Sequence, residues 1–335
     1  MARTAKYDWV AKLAEEYYQT KITTAPKLLN ERDGQQVFRV KFADGKNYTL
    51  RLIPPERSRD RVLADAGVLS FLAAAKFPAP KLVSLPSGEP VFEWKIGGWA
   101  YLTDYIEGVN PESFSLKMIG DLAKMLATLH KLANTPKEFP FEVNWFGELA
   151  PSIKRAEAAT NDKTWGKIAK EVVQNLKSLP DLKGLPQGLI HTDVHEGNIL
   201  VTPDQKLFLL DWEDAGLDAA IFDVALVLGW SCVWQHDDAQ FNFDGQPDLY
   251  NFDEEYSRHF LHSYQSVRNL SKKEAENLGN AVRFLNGWFA ARDIEREIDE
   301  PGVSEGLAYT TWAIMRSVTP EWSDTLAQWA KETKD

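Results

Sequence analysis

The chain has 335 residues, 44% hydrophobic and 26% charged, with 20 glycines and 17 prolines, a composition that excludes collagen-like, disordered and disulfide-stapled classes. At roughly 150 residues per domain, the length points to two domains or to one domain of two lobes. The balance of 38 basic against 49 acidic residues leaves a net charge of −11 and argues against non-specific nucleic-acid binding, which needs Lys and Arg to displace counterions from phosphates.

Residues 1–18 are charged throughout and lack the apolar run of a signal peptide, and no later stretch is long and apolar enough to span a bilayer. The cytoplasm is the expected compartment, with no membrane or nucleic-acid partner. Trp9, Leu13 and Tyr17, four apart, predict a helix over about Lys6 to Gln19 with one buried face. Two runs of β-formers, Gln36 to Phe42 and Asn47 to Ile53, flank Asp44-Gly45, a strong hairpin signal. Pro54-Pro55 ends the second run, and Val62, Ala66, Leu69 and Leu72 predict a helix over about Asp60 to Lys76. Short strands are expected at Lys81 to Leu85 and Pro90 to Trp94, and a longer one at Trp99 to Ile106. Beyond Gly108 the pattern is helical, with Ile119, Leu122, Leu126 and Leu129 on one face. A compact insert, Gly188 to Trp212, interrupts it and precedes the apolar run Ala219 to Trp230. The single cysteine, Cys232, can form neither an internal disulfide nor a multi-Cys zinc site and reads as a small apolar residue in a buried helix. The fold class is therefore α+β: a small antiparallel β-sheet lobe with one inserted helix over residues 1–103, a hinge at 104–108, and a larger, mainly helical lobe over 109–335.

Chemistry concentrates in the insert. Ile190-His-Thr-Asp-Val-His-Glu-Gly-Asn198 runs into two short apolar strands, Ile199 to Val201 and Lys206 to Leu210, joined by a Pro-Asp turn. A register pairing Asn198 with Asp211 centres that turn between Asp204 and Gln205. An Asn carbonyl and an Asp carboxylate held opposite each other are hard oxygen ligands suited to Mg²⁺, which takes one or two carboxylates and completes its shell with water and phosphate. Asp193, five residues before Asn198, is then left as a carboxylate able to orient a hydroxyl nucleophile and accept its proton.

The pattern His-x-Asp-x₄-Asn followed thirteen residues later by Asp resembles that of the protein-kinase-like superfamily. The stretches Ile190 to Val201 and Leu209 to Gly216 resemble its aminoglycoside phosphotransferase and choline kinase branch, which phosphorylates small molecules. The match at motif level covers about 35 residues, Leu189 to Asp223. The resemblance implies a protein-kinase-like bilobal fold, ATP and Mg²⁺ as cofactors, Asp193 as catalytic base, Asn198 and Asp211 as metal ligands, and His191 as a loop-fixing residue. It also makes Asp223 a buried carboxylate that holds the catalytic loop, although a helix-start carboxylate near the macrodipole is an equally physical reading. Arg51 stands where the family has a strand lysine that binds phosphates, with Asp65 as its best acidic partner on the following helix. Arginine is a broad fork rather than a point cation, and the alternative is a surface cation on an edge strand. The phosphate loop, Leu28 to Val37, carries only Gly34. Backbone groups of Asp104, Tyr105 and Ile106 are expected to meet the adenine. His195 and Glu213, each two residues past a catalytic aspartate, face either substrate or water.

For the acceptor, seven acids and no Lys or Arg lie between Trp234 and Tyr256, interleaved with aromatics. Trp234, Asp237 and Asp238 are the substrate-binding candidates there. The mixture suits a cationic acceptor such as an amino sugar or choline, or else a solvated acidic loop anchored by aromatics. Ser263 to Glu274 and the helix through Arg292 resemble homoserine kinases instead. Arg258, Arg268, Arg283 and Arg292 would meet a carboxylate if they converged, salt bridges being their commoner fate. The main expectation is an ATP- and Mg²⁺-dependent phosphotransferase acting on a hydroxyl of a small molecule. The alternatives are a homoserine- or choline-type metabolite kinase and a catalytically silent, kinase-like nucleotide-binding protein.

Overall fold

A computed structural model of the protein describes residues 5–94, 97–132, 143–235 and 250–332, which divide into two compact units. The first takes the described residues of Met1–Pro111 together with Gly197–Ala215, and the second the described residues of Glu112–Pro136, Glu142–Glu196 and Gly216–Asp335. The hairpin of the insert thus belongs with the N-terminal sheet, whereas the loop carrying Asp193 belongs with the helices.

In the first unit, helix α1 (Asp8–Tyr18) precedes strands β1 (Lys27–Arg32), β2 (Gln35–Lys41) and β3 (Asn47–Ile53), helix α2 (Arg59–Ala74), and strands β4 (Leu82–Val83), β5 (Phe92–Glu93) and β6 (Trp99–Asp104). The strands form one antiparallel sheet in the order β1-β2-β3-β6-β4, with β5 on the other half of β6. Period-two alternation decides its two faces. Phe38, Val40, Leu50, Leu52, Ala100 and Leu102 pack with Val10, Leu13, Ala14 and Tyr18 of α1 into a dry core. Val37, Arg51 and Tyr101, aligned across β2, β3 and β6, are left for the opposite face. Trp9 departs from the expected buried stripe: it is 42% exposed and stacks on Trp94 at 5.7 Å, while Val10 and Ala14 take the inner positions.

β1 is the strand that hydrophobic patterning does not reveal, because five of its six residues are exposed. Its junction with β2 is a two-residue turn in which Asp33 (φ 50°) and Gly34 (φ 78°) are both left-handed, the geometry that Asp-Gly favours in tight hairpins. The expected phosphate loop is therefore a tight hairpin turn with one glycine at a left-handed position.

In the second unit, α3 (Leu116–His130), α4 (Leu149–Ala159) and α5 (Gly166–Lys177) lead to β7 (Gln187–Ile190). The chain then forms the first unit's hairpin, β8 (Ile199–Val201) and β9 (Leu207–Leu209), and returns with β10 (Gly216–Ala219) and α6 (Ile221–Ser231). β11 (Val233–Gln235), β12 (Tyr250–Phe252), α7 (Glu254–Gln265), α8 (Lys272–Glu276), α9 (Leu278–Asp299), α10 (Glu305–Ser317) and α11 (Pro320–Trp329) complete it. α9 is the spine, packing against α4, α5, α6, α10 and α11, while α3 packs along α7. Ile119, Leu122, Leu126 and Leu129 are buried as expected, and Cys232 is buried at the end of α6.

Candidate functional site

The register of the β8–β9 hairpin corrects the expected one by a single residue. Ile199 pairs with Leu209 and Val201 with Leu207, so Asn198 lies opposite Leu210, whose N–H donates to the Asn198 carbonyl at 2.8 Å. The cause is an odd-numbered turn. Thr202 and Lys206 still pair, leaving a three-residue loop, Pro203 to Gln205, closed by Gln205 at φ 62°. Asp211 lies one step beyond the ladder and is itself left-handed at φ 63°, so the strand ends there.

The hairpin is fastened to the segment after β6. Val109 and Val201 exchange both backbone hydrogen bonds (3.1 and 2.9 Å), and the Asn110 amide donates to the carbonyls of Gly197 and Ile199 at 2.8 Å each. Gly108 permits this approach: a β-carbon there would lie 2.9 Å from the Val201 carbonyl oxygen. These bonds bring Asn198 and Asp211 onto one cavity of about 370 Å³ within the first unit, with Arg51, Tyr101 and the Asp104 to Ile106 segment on its wall. In that segment the Asp104 N–H is bound to the Lys81 carbonyl at 2.9 Å and the Tyr105 N–H to the Asn47 carbonyl at 3.4 Å. The Asp104 carboxylate accepts from the Lys81 N–H at 2.5 Å, and burial nonetheless raises its pKa.

Arg51 does not pair with Asp65. Its guanidinium bonds Asp211 at 2.9 Å and also Glu213, whereas Asp65, 2% exposed, pairs with Arg57 at 3.1 Å and Arg61 at 3.6 Å. Glu213 is engaged by the protein itself: its carboxylate accepts from Arg51, Arg57 and Gln35, and its carbonyl from Arg57 and Arg61. The strand cation and the helix acid are thus linked through Glu213 and Arg57. Burial works against the Arg51 charge, but Tyr101, Asp211 and Glu213 together hold its pKa above the usual range. Burial pushes the Asp65 pKa up to about 7 against the pull of Arg57 and Arg61. Arg61 and Asp65 are four apart on α2, an i,i+4 spacing visible in the sequence, whereas Arg57 precedes the helix.

The donors fit a hard divalent cation. One amide, one carboxylate and space for water and phosphate oxygens match what Mg²⁺ takes from a protein, and Glu213 is committed to arginines. Among the described residues no three His, Cys, Asp or Glu side chains cluster as a self-sufficient metal site.

In the second unit β7 leads into the 191–195 loop, and β10, paired antiparallel to it, leads into α6. Asp223 in the first turn of α6 is fully buried and accepts from the backbone N–H groups of His191 (2.7 Å) and Thr192 (2.9 Å). Thr192 has φ 76°, a strained conformation for a β-branched residue, and the Asp223 bond holds it there. His191 Nδ1 accepts from the Asp193 N–H at 3.3 Å. The Asp193 carboxylate is 56% exposed, with His195 Nε2 3.5 Å from it. Patterning missed His130, whose Nε2 lies 3.1 Å from Asp223. Its one visible signal was a histidine closing an otherwise apolar helix face.

Trp234 lies in β11 opposite Asn251, and Asp237 and Asp238 fall outside the described residues. The four arginines do not share a ligand: Arg258 binds Glu254 and Glu332, Arg268 binds Glu274 and Tyr264, Arg283 binds Asn175 and Ser178, and Arg292 binds Asp293.

An antiparallel sheet unit with a helical unit is the fold of protein-kinase-like small-molecule kinases, and the chain belongs to the phosphotransferase enzyme family, whose profile matches residues 27–268. Among curated relatives, the homoserine kinase of Acidiphilium cryptum is 28% identical over 228 residues, covering 65% of this chain and 66% of that protein. The chain thus spans about two thirds of the length of such relatives. Among solved structures, an amicoumacin kinase in complex with AMP-PNP and Ca²⁺ aligns with a TM-score of 0.65 at 17% identity, over 95% of this chain and 96% of that one. A choline/ethanolamine kinase family protein from Mesorhizobium loti aligns with a TM-score of 0.63 at 17% identity, over 97% and 99%. At these identities the likeness is one of fold. Among the described residues no helix is long and apolar enough to cross a membrane.

Proposed function

We propose that the protein is a kinase that transfers the γ-phosphoryl group of ATP to a hydroxyl of a small acceptor in the cytoplasm. The observation that carries this reading is the convergence of Arg51, Asn198 and Asp211 with the Asp104 to Ile106 backbone on one cavity. That set supplies a cation for phosphate, two hard oxygen donors and peptide groups for a base edge.

In this mechanism Arg51 orients the phosphates, and Asn198 with Asp211 would hold Mg²⁺, which when bound would neutralise charge on the phosphoryl oxygens. Asp193 accepts the proton of the acceptor hydroxyl as its oxygen bonds the γ-phosphorus and the bond to the bridging oxygen breaks, releasing ADP. Its exposure leaves the carboxylate accessible to an incoming hydroxyl, and the His191 ring beneath its N–H fixes the loop. The acceptor is a hydroxy amino acid of the homoserine type. The support is the similarity to homoserine kinases at 25–29% identity over about two thirds of the chain and the resemblance of residues 263–292 to that group.

Asp193→Ala tests the chemistry. Loss of a general base lowers kcat by about 10²- to 10⁴-fold, while Mg²⁺-dependent stabilisation of the fold by ATP persists in a thermal shift assay. Wild-type turnover in that variant would remove Asp193 from the mechanism. Absence of any ATP-induced shift in the unmutated protein would favour a catalytically silent relative. An ATP-consumption screen over homoserine, choline, ethanolamine, aminoglycosides and macrolides identifies the acceptor class.

A further inference from the structure

Behind the catalytic loop the second unit contains a buried polar chain that the proposed phosphoryl transfer does not itself use. Glu274, 1% exposed, accepts from Arg268 at 2.7 Å. Arg268 Nη1 donates to the Tyr264 hydroxyl at 3.0 Å. That hydroxyl lies 2.7 Å from His130 Nδ1, and His130 Nε2 lies 3.1 Å from Asp223 Oδ2. Tyr264 and Asp223 are fully buried, and His130 is 6% exposed.

The two ends of this chain determine its direction. Arginine is only a donor and an ionised carboxylate only an acceptor. Tyr264 therefore accepts from Arg268, and its one proton finds an acceptor in the lone pair of His130 Nδ1. The imidazole proton is then on Nε2 and is donated to Asp223. Every donor has one acceptor along the line. With the proton on Nδ1 instead, the Tyr264 hydroxyl would accept twice and its own proton would be left without an acceptor, while Asp223 would face the lone pair of Nε2.

We propose that Arg268 and Tyr264 are positioning residues for the catalytic loop: by fixing the proton of His130 on Nε2, they fix the orientation of Asp223, which in turn holds His191 and the strained Thr192 two residues and one residue before Asp193. The assignment rests on the reading of Asp193 as base only for its effect on rate. The position of the proton is independent of that reading.

The ring nitrogens of His130, observed by long-range ¹H–¹⁵N correlation in the uniformly labelled full chain, test the first step. A protonated Nε2 and an unprotonated Nδ1 at neutral pH are expected. A protonated Nδ1, alone or with Nε2, would overturn the proposal whether or not the chain phosphorylates anything. For the second step, Tyr264→Phe removes one hydroxyl and is expected to lower kcat per folded molecule by about 10- to 100-fold, the scale of a misplaced catalytic group. The KM for ATP stays within roughly twofold, because the nucleotide cavity belongs to the other unit. Arg268→Met should behave in the same way and Arg268→Lys, which keeps a donor, should lose less. A loss of melting temperature with kcat unchanged in Tyr264→Phe, or equal losses in the two Arg268 variants, would reduce the chain to a structural role. Where wild type turns over none of the screened acceptors, the homoserine-type acceptor reading fails and the ring spectrum still decides the proton.

Discussion

Replacing Asp223 with asparagine is an isosteric change that separates a carboxylate's two acceptors from an amide's one. Oδ2 takes the His191 N–H and His130 Nε2, and Oδ1 takes the Thr192 N–H. An asparagine can turn its oxygen towards His191 and His130, but its NH₂ then opposes the Thr192 N–H. A buried N–H left without an acceptor costs about 1–3 kcal/mol, and each of the other two bonds weakens on losing the anion, by roughly 0.5–1 kcal/mol. The total is about 3 kcal/mol, and release of Thr192 from its left-handed conformation recovers part of it. Alanine leaves all three donors bare in a fully buried site, so it should cost more than asparagine. Urea denaturation followed by tryptophan fluorescence measures both: at a slope of about 3 kcal/mol per molar, the Asp223→Asn midpoint falls by about 1 M. A shift within the error of wild type, or an alanine variant as stable as the asparagine one, would refute the acceptor count.

How far the sequence could be read varied with the source of each constraint. Elements buried on one face were legible: α3 and the β2–β3 pair show their period in the identity of every second or every third to fourth residue. β1 was not, because an exposed edge strand has no hydrophobic face to declare it, although Asp33-Gly34 carried the same turn signal as Asp44-Gly45. Asn198 and Asp211, chosen as metal ligands by type and spacing, do line one cavity, yet their register was off by one because loop parity depends on whether Gln205 adopts a left-handed conformation, and glutamine gives no warning of that. The expected Arg51–Asp65 contact failed for a different reason. Three arginines and four acids compete in one partly buried cluster, and which cation meets which anion is decided by side-chain reach and strand register, neither of which a linear motif encodes.

That cluster is also where two further predictions can be checked. Glu213→Gln leaves Arg51 and Arg57 with one acid fewer in a site where Glu213 is 12% exposed, so stability should fall by about 2 kcal/mol and the KM for ATP should rise as Arg51 loses its anchor. An unchanged melting temperature with unchanged KM would exclude Glu213 as the link. Asp65 should make the first unit pH-sensitive. Its folded pKa of about 7 lies above the unfolded value of 3.8, so the folded state holds the proton more tightly. The contribution to stability is full below about pH 4 and is lost as the pH rises through about 7. At 1.36 kcal/mol per pKa unit the swing is about 4 kcal/mol at most. The sign is the opposite of that for a carboxylate governed by its arginines: Arg57 and Arg61 favour the anion, while burial at 2% exposure and the neighbouring Glu213 and Asp214 favour the acid. Urea titrations of wild type and Asp65→Asn between pH 5 and 8.5 distinguish the two, since the amide removes the titrating proton. With burial outweighing the arginines, wild type loses stability relative to Asp65→Asn across that range, and a gain would mean that the arginine pair governs the charge of Asp65.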